Sequence, residues 1–209
     1  MINLEKTVIY GWETAIRGMR NPMNSWDASD SDFKKNIIGP KDHELMMKLS
    51  NKGPVHSKFM RMITVSVDIE APLYWWKEFD TYKVGTVANS CSTMHKIHTR
   101  DLTIDDFSHD QLNDIAIKIL EKYIEVINVA RRNFIETKDK HWWWQIIQLL
   151  PSSYNQKRTV HMNYAVLQNI YDNRKNHKLD EWRQFCYWIK FLNYSEIITR
   201  EVNNEESGN

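Results

Sequence analysis

The sequence is poor in cysteine and has no excess of either charge. Its 209 residues include two cysteines, Cys91 and Cys186. Thiols so far apart form neither a metal-type CxxC pair nor the framework of a disulfide-stapled domain. Lys and Arg number 28 against 27 Asp and Glu, for a net charge of +1. A protein that coats nucleic acid needs a strong basic surplus to displace counterions from phosphates, so this balance argues against bulk DNA or RNA binding. It leaves open the binding of a single nucleotide, which needs only a few cations. No apolar run approaches the length of a membrane span. The N-terminal MINLEKTVIYGWETAI lacks the basic start and apolar core of a signal peptide. The expected location is cytoplasmic. Neither an internal repeat nor a low-complexity tract is visible.

What is present is an ordinary globular composition, 42% hydrophobic and 26% charged, with nine Trp and nine Tyr. Such large amphipathic side chains go to cores, subunit interfaces and stacking sites. One domain is expected over residues 1–200, followed by an acidic, disordered tail at 201–209. Lys6–Tyr10 reads as a strand and Trp12–Met19 as a helix. Asn21–Pro40 is rich in Asp, Ser, Asn and Pro and reads as a long loop. A helix is expected over Asp42–Asn51. Phe59–Ile69 alternates as a strand, with Phe59, Ile63, Val65, Val67 and Ile69 on one face and Arg61 breaking the pattern. Pro72 opens a helix to about Tyr82. Helices are expected over Gln111–Thr137, His141–Leu150, Thr159–Lys175 and Leu179–Leu192. In the long one, Leu112, Ile115, Ile119, Tyr123, Val126 and Ile127 recur at helical spacing. The order predicts a mixed α/β domain weighted to helix.

Within a helix at 159–175, Asn163 and Arg174 would lie about three turns apart, roughly 16 Å along the axis, and face nearly the same way. Leu167 and Ile170 share that face, so Arg174 projects from the edge of a buried stripe. A half-buried arginine needs an anionic partner. That partner is either a phosphate or carboxylate ligand, or an internal acid such as Asp180 or Glu181. Val84–Met94 collects small donors and acceptors, among them Thr86, Asn89, Ser90, Cys91 and Ser92, with Lys77, Lys83, Lys96 and Arg100 around them. It is either a phosphate cradle or a structural turn; it is not a P-loop. Cys91 and His95 are spaced to meet on a helix as a thiolate–imidazole pair. His95 and His98 could share a metal, but no HExxH-type motif accompanies them. The run Trp142–Trp144 surrounds a helix, so at least one ring should meet a partner subunit or a ligand.

With these segments in place, the chain resembles the flavin-dependent thymidylate synthases. The resemblance follows the family's order through Trp12–Trp26, Asp42–Phe59, Ala71–His95 and Leu150–Pro151, and then through Asn163, Asn169 and Arg174, where no gap is needed. It implies a helix-rich α/β fold and a homotetramer with active sites shared between subunits. It also implies methylation of dUMP with FAD, NADPH and methylene-tetrahydrofolate, the flavin carrying the chemistry without a protein nucleophile. By position, Arg174, Lys83, Asn89, Ser90, Cys91 and Ser92 would contact the nucleotide. His56, Lys77, Tyr82, Thr86, Asn163 and Asn169 would lie at the flavin. The family's Arg-His-Arg is here Thr81-Tyr82-Lys83, and two further arginines are replaced by Ile147 and Ala165. These losses admit an alternative, a non-catalytic protein that binds or sequesters a nucleotide in the same cleft. A purely structural oligomer is the third possibility.

Overall fold

The computed structural model describes residues 2–35 and 37–200. The acidic tail at 201–209 lies outside the described residues. Two compact units make up the chain. The first comprises Met1–Asn3, Asp68–Thr81 and Ala88–Thr159; the second comprises Leu4–Val67, Tyr82–Val87 and Val160–Asn209. The fold is mixed α/β and rich in helix, as the sequence predicts.

A sheet of four strands runs in the order β1–β2–β4–β3, with β1 at Asn3–Tyr10, β2 at Thr64–Pro72, β3 at Val87–Ser90 and β4 at Asn155–Asn163. β2 and β4 pass through both units and pair in each. In the second unit Ser66 Oγ meets His161 Nδ1 at 2.9 Å. In the first, Thr159 donates to Asp68 at 2.7 Å. Advancing on one strand while retreating on the other is antiparallel register. β2 alternates strictly: Ile63, Val65, Val67, Ile69 and Ala71 are buried while the residues between them are half-exposed. The expected strand start at Phe59 is corrected. Lys58–Arg61 is a 3-10 turn that buries both Phe59 and Met60. Arg61 therefore sits exposed on the turn, and it breaks no strand pattern.

The second unit holds α1 (Trp12–Arg20), α2 (Pro40–Ser50), α7 (Tyr164–Arg174), α8 (Asp180–Lys190) and α9 (Glu196–Thr199). The first holds α3 (Leu73–Phe79), α4 (Thr93–Lys96), α5 (Asp114–Thr137) and α6 (Lys140–Leu149). Pro72 caps α3 as expected, but the helix stops at Phe79, short of Tyr82. On α5, Leu120, Ile124, Ile127 and Ala130 are buried against Ile146 of α6 and Phe107. The face expected from sequence is thus corrected: Leu112, Ile115, Ile119 and Val126 are exposed, at 43, 71, 63 and 53%. The helix carries apolar residues on more than one face, and spacing alone does not choose among them. Of the Trp run, Trp142 packs against the same core, Trp143 donates to the Met94 carbonyl, and Trp144 is half exposed. No helix among the described residues is long and apolar enough to cross a membrane.

The stretch Asn21–Pro40 is a loop with two 3-10 turns and an isolated bridge between Asp32 and Ile37. A buried carboxylate pins it. Asp42, 0% exposed, accepts from Arg20 Nε and from the Ser29 and Ser31 hydroxyls, each at 2.6 Å. Burial alone would raise the pKa of this carboxyl. The two hydroxyls and the Arg20 guanidinium outweigh that and hold it below the ordinary 3.8. A carboxyl depressed in the folded state adds stability that is present above pH 3.8 and is lost as pH falls through the lower folded value. Asp42→Ala, which leaves Arg20 buried without its counter-charge, should lower stability in urea denaturation by ~3–5 kcal/mol at neutral pH. The gap between wild type and variant should narrow below about pH 4, and a gap that stays constant there would show that Asp42 is not the titrating group.

Candidate functional site

In the second unit the decisive residue is Asn163, where strand turns into helix. The expected helix at Thr159–Lys175 is corrected, since Asn155–Asn163 is strand β4. Val160 and Met162 are buried while Thr159 and His161 are exposed, an alternation of period two. Asn163 holds extended backbone, and its Oδ1 accepts the Val166 amide at 3.0 Å, capping α7. The Tyr164 amide donates to the Ile63 carbonyl at 3.0 Å, tying the first turn of α7 to the start of β2. Leu167, Ile170 and Tyr171 then bury one face of the helix.

That register delivers Arg174 to the last turn of α7, an end where positive charge is favourable. Its Nε donates to the Tyr82 hydroxyl at 2.9 Å. The guanidinium carbon lies 4.8 Å from the centroid of the buried Trp182 ring and 5.8 Å from that of Tyr82. A cation over an indole face, with one edge bonded to a phenol, is a planar fork whose orientation is set by its surroundings. Asp180, one of the two internal acids considered from sequence, pairs with Arg183. Tyr82 and Arg174, placed at separate ligands by the sequence reading, touch.

The segment from Tyr82 to Val87 lies against the start of α7. Gly85 has φ +78, and a Cβ there would stand 2.9 Å from Asn163 Nδ2 and 3.2 Å from Val166 Cγ2. Only glycine allows both that backbone and that approach. Beside it, the Thr86 hydroxyl is buried with no hydrogen-bond partner in the structure. A buried hydroxyl without a partner is costly, which makes it a candidate ligand contact. Lys83 and His56 are exposed, His56 in a turn whose amides return to the Gly53 carbonyl. Asn169 is exposed on the middle of α7 and accepts from Asn173 Nδ2 at 2.7 Å.

The first unit carries the remaining candidates. Lys77 is exposed on α3, and Asn89 and Ser90 are exposed on β3. The Cys91 amide donates to the Lys157 carbonyl at 2.9 Å. The Ser92 hydroxyl caps α4 by accepting the His95 amide at 3.2 Å. Cys91 therefore precedes the helix, and the helical Cys91–His95 pairing expected from spacing is not formed. Among the described residues no cluster of three or more His, Cys, Asp or Glu is placed to hold a metal. Sequence reasoning missed Arg158 altogether. Its guanidinium lies 4.2 Å from the Trp76 ring centroid, donates to Gln156 Oε1 at 3.0 Å and to Asp80 Oδ1 at 2.7 Å. The signal was available in the alternation of Gln156, Arg158, Val160 and Met162, whose last two members the expected helix at Thr159–Lys175 absorbed.

Solved structures of the same architecture span nearly the whole chain. The fold is that of the flavin-dependent thymidylate synthases. One Helicobacter pylori ThyX structure complexed with FAD and dUMP superposes with a TM-score of 0.68 at 16% identity, covering 94% of this chain and 98% of that one. A second ThyX structure from the same organism, also with FAD and dUMP, gives 0.69 at 16% identity, covering 96% and 98%. A UMP/dUMP methylase, PolB from Streptomyces cacaoi, bound with 5-Br dUMP, gives 0.64 at 13% identity, covering 96% and 95%. No family model matches the chain, and no curated protein matches it in sequence. At these identities the likeness is one of fold.

Two positions where the resemblance to the flavin-dependent thymidylate synthases expects arginine hold apolar residues here. Ile147 is partly buried against the α5–α6 core, and Ala165 occupies the first turn of α7. Gly85→Ala should cost ~1–3 kcal/mol, from a left-handed backbone and a Cβ pressed on Asn163. Thermal unfolding measures it, and a variant as stable as wild type would refute the constraint.

Proposed function

We propose that this chain binds a pyrimidine nucleotide of the dUMP type through Arg174 and methylates or similarly modifies its base with FAD as cofactor. The observation that carries this reading is Arg174 itself. Its guanidinium is fixed over Trp182 and bonded to Tyr82, in a fold whose solved examples include complexes with FAD and dUMP. A planar, charged fork whose orientation is set beforehand suits a nucleotide phosphate, because little side-chain entropy is lost on binding. Lys83, next to Tyr82 in the chain, adds an exposed charge, and the first unit offers Asn89, Ser90, Cys91 and Ser92 as polar groups of its own.

The residues present fit FAD at one observed point, the buried Thr86 hydroxyl that lacks a partner. Tyr82, Thr86, Asn163, Asn169 and His56, all of the second unit, would hold it. Bound there, FAD would supply the redox chemistry that a one-carbon transfer to a pyrimidine requires, with NADPH as reductant and methylene-tetrahydrofolate as donor. The protein's own part is to bind and orient: Arg174 fixes the nucleotide's phosphate, and the Gly85 turn brings Thr86 against the start of α7. The exposed apolar residues of α5 and the half-exposed Trp144 offer a surface on which copies of the chain could associate, as the homotetramer implied by the resemblance requires.

A second reading is favoured by Lys83, Ile147 and Ala165, which stand where arginines are expected: a nucleotide-binding or nucleotide-sequestering protein without turnover. The purified chain decides between them. Yellow protein that releases FAD on denaturation supports the enzyme; colourless protein that gains no flavin on titration, yet binds dUMP, supports sequestration. In either case Arg174→Ala should weaken dUMP binding by about ten- to a hundredfold in calorimetry, the value of a charge-assisted hydrogen bond. Unchanged affinity would make Arg174 a structural residue and defeat both readings.

A further inference from the structure

We propose that Arg158 and Gln156 are positioning residues that set the conformation of Ala88–Ser92, the segment of the first unit that offers Asn89, Ser90 and Ser92 to a ligand. The inference rests on the nucleotide reading above for its purpose, and on the first unit alone for its geometry. Gln156 is 9% exposed, and its amide is used at both ends. Its Nε2 donates to the Cys91 carbonyl at 3.0 Å, while its Oε1 accepts from Arg158 Nε at 3.0 Å. Its own carbonyl accepts from Trp76 Nε1 at 2.9 Å. With the Cys91 amide donating to Lys157, the backbone of Cys91 is held at N–H and C=O by consecutive residues of β4.

Arg158 makes this arrangement single-valued. An amide side chain can be flipped, exchanging donor and acceptor ends. Arg158 is donor only, so its bond to Oε1 fixes Nε2 toward Cys91. Arg158 is in turn fixed by the Trp76 ring beneath it and by Asp80, just past the end of α3. Its side chain is 15% exposed against 52% for Asp80, so the pair is worth more to the geometry than a surface salt bridge. The end of α3 is thereby wired through Arg158 and Gln156 to the carbonyl of Cys91. The device uses residues on the buried face of β4, apart from Asn89 and Ser90, which are exposed. Gln156 touches the segment, and Arg158 acts on it through Gln156.

The test compares Arg158→Ala, Arg158→Lys and Gln156→Leu with the wild-type full chain. Amide hydrogen exchange of peptides covering residues 87–92 is measured without nucleotide, and dUMP affinity by calorimetry. Arg158→Ala and Gln156→Leu are expected to speed exchange in that segment at least tenfold and to weaken dUMP binding about tenfold. Exchange in α5 should not change, and Arg158→Lys, which keeps charge but not the fork, should recover little. Should Arg158→Ala fail to fold, Asp80→Asn at its half-exposed site removes one anchor and should speed exchange in the same segment by a smaller factor. Unchanged exchange at 87–92 overturns the proposal, as does faster exchange with unchanged dUMP affinity. A wild-type chain that binds no dUMP defeats the nucleotide reading instead, and is distinguishable because the exchange comparison contains no nucleotide.

Discussion

The hydrogen bond from the Val166 amide to the side chain of Asn163 fixes where a strand stops and a helix begins. A helix has one turn per 3.6 residues, so moving its start by one residue rotates everything after it by about 100°. With the start at Tyr164, Leu167, Ile170 and Tyr171 turn inward and Arg174 arrives over Trp182 with its Nε on Tyr82. With any other start, that arginine would meet a different surface. The side-chain amide of Asn163 also stands against Gly85, so the turn beside it is shaped by the cap too.

Two charged groups placed in largely buried positions show the same economy. Asp42 is satisfied by Arg20 and two serines and holds a long polar loop against α1 and α2. Arg158 is satisfied by Asp80, Gln156 and the face of Trp76. A buried charge is tolerated only when its hydrogen-bonding capacity is filled, and filling it restricts the backbone around it. In the first case the restricted segment is the loop Asn21–Pro40; in the second it is the segment that leads to Cys91.

The sequence made much of this legible. β2 announced itself through the alternation of Ile63, Val65, Val67 and Ile69, and Pro72 marked the start of α3. Arg174 stood out because a cation at the edge of an apolar stripe demands a partner. β4 did not stand out, since Thr159–Lys175 contains enough helical spacing to absorb its last residues. Pairing with β2 overrode that local preference, as sheet contacts routinely do. The inward face of α5 was misjudged for a related reason: several of its faces are apolar, and only the packing of Ile146 and Phe107 selects one. Arg158 stayed hidden because its importance depends on Asp80, 78 positions earlier in the chain.

By itself, then, the sequence determined the class of fold, the strand β2, most helices and the identity of Arg174 as a cation needing a partner. Those features depend on local periodicity and on the chemistry of single residues. Only the tertiary structure decided that Tyr82 and Trp182 hold that cation, that Gly85 meets Asn163, and that Gln156 grips Cys91. Each of these joins residues distant in the chain. Such contacts are set by which surfaces pack once the core forms, and no local pattern records them.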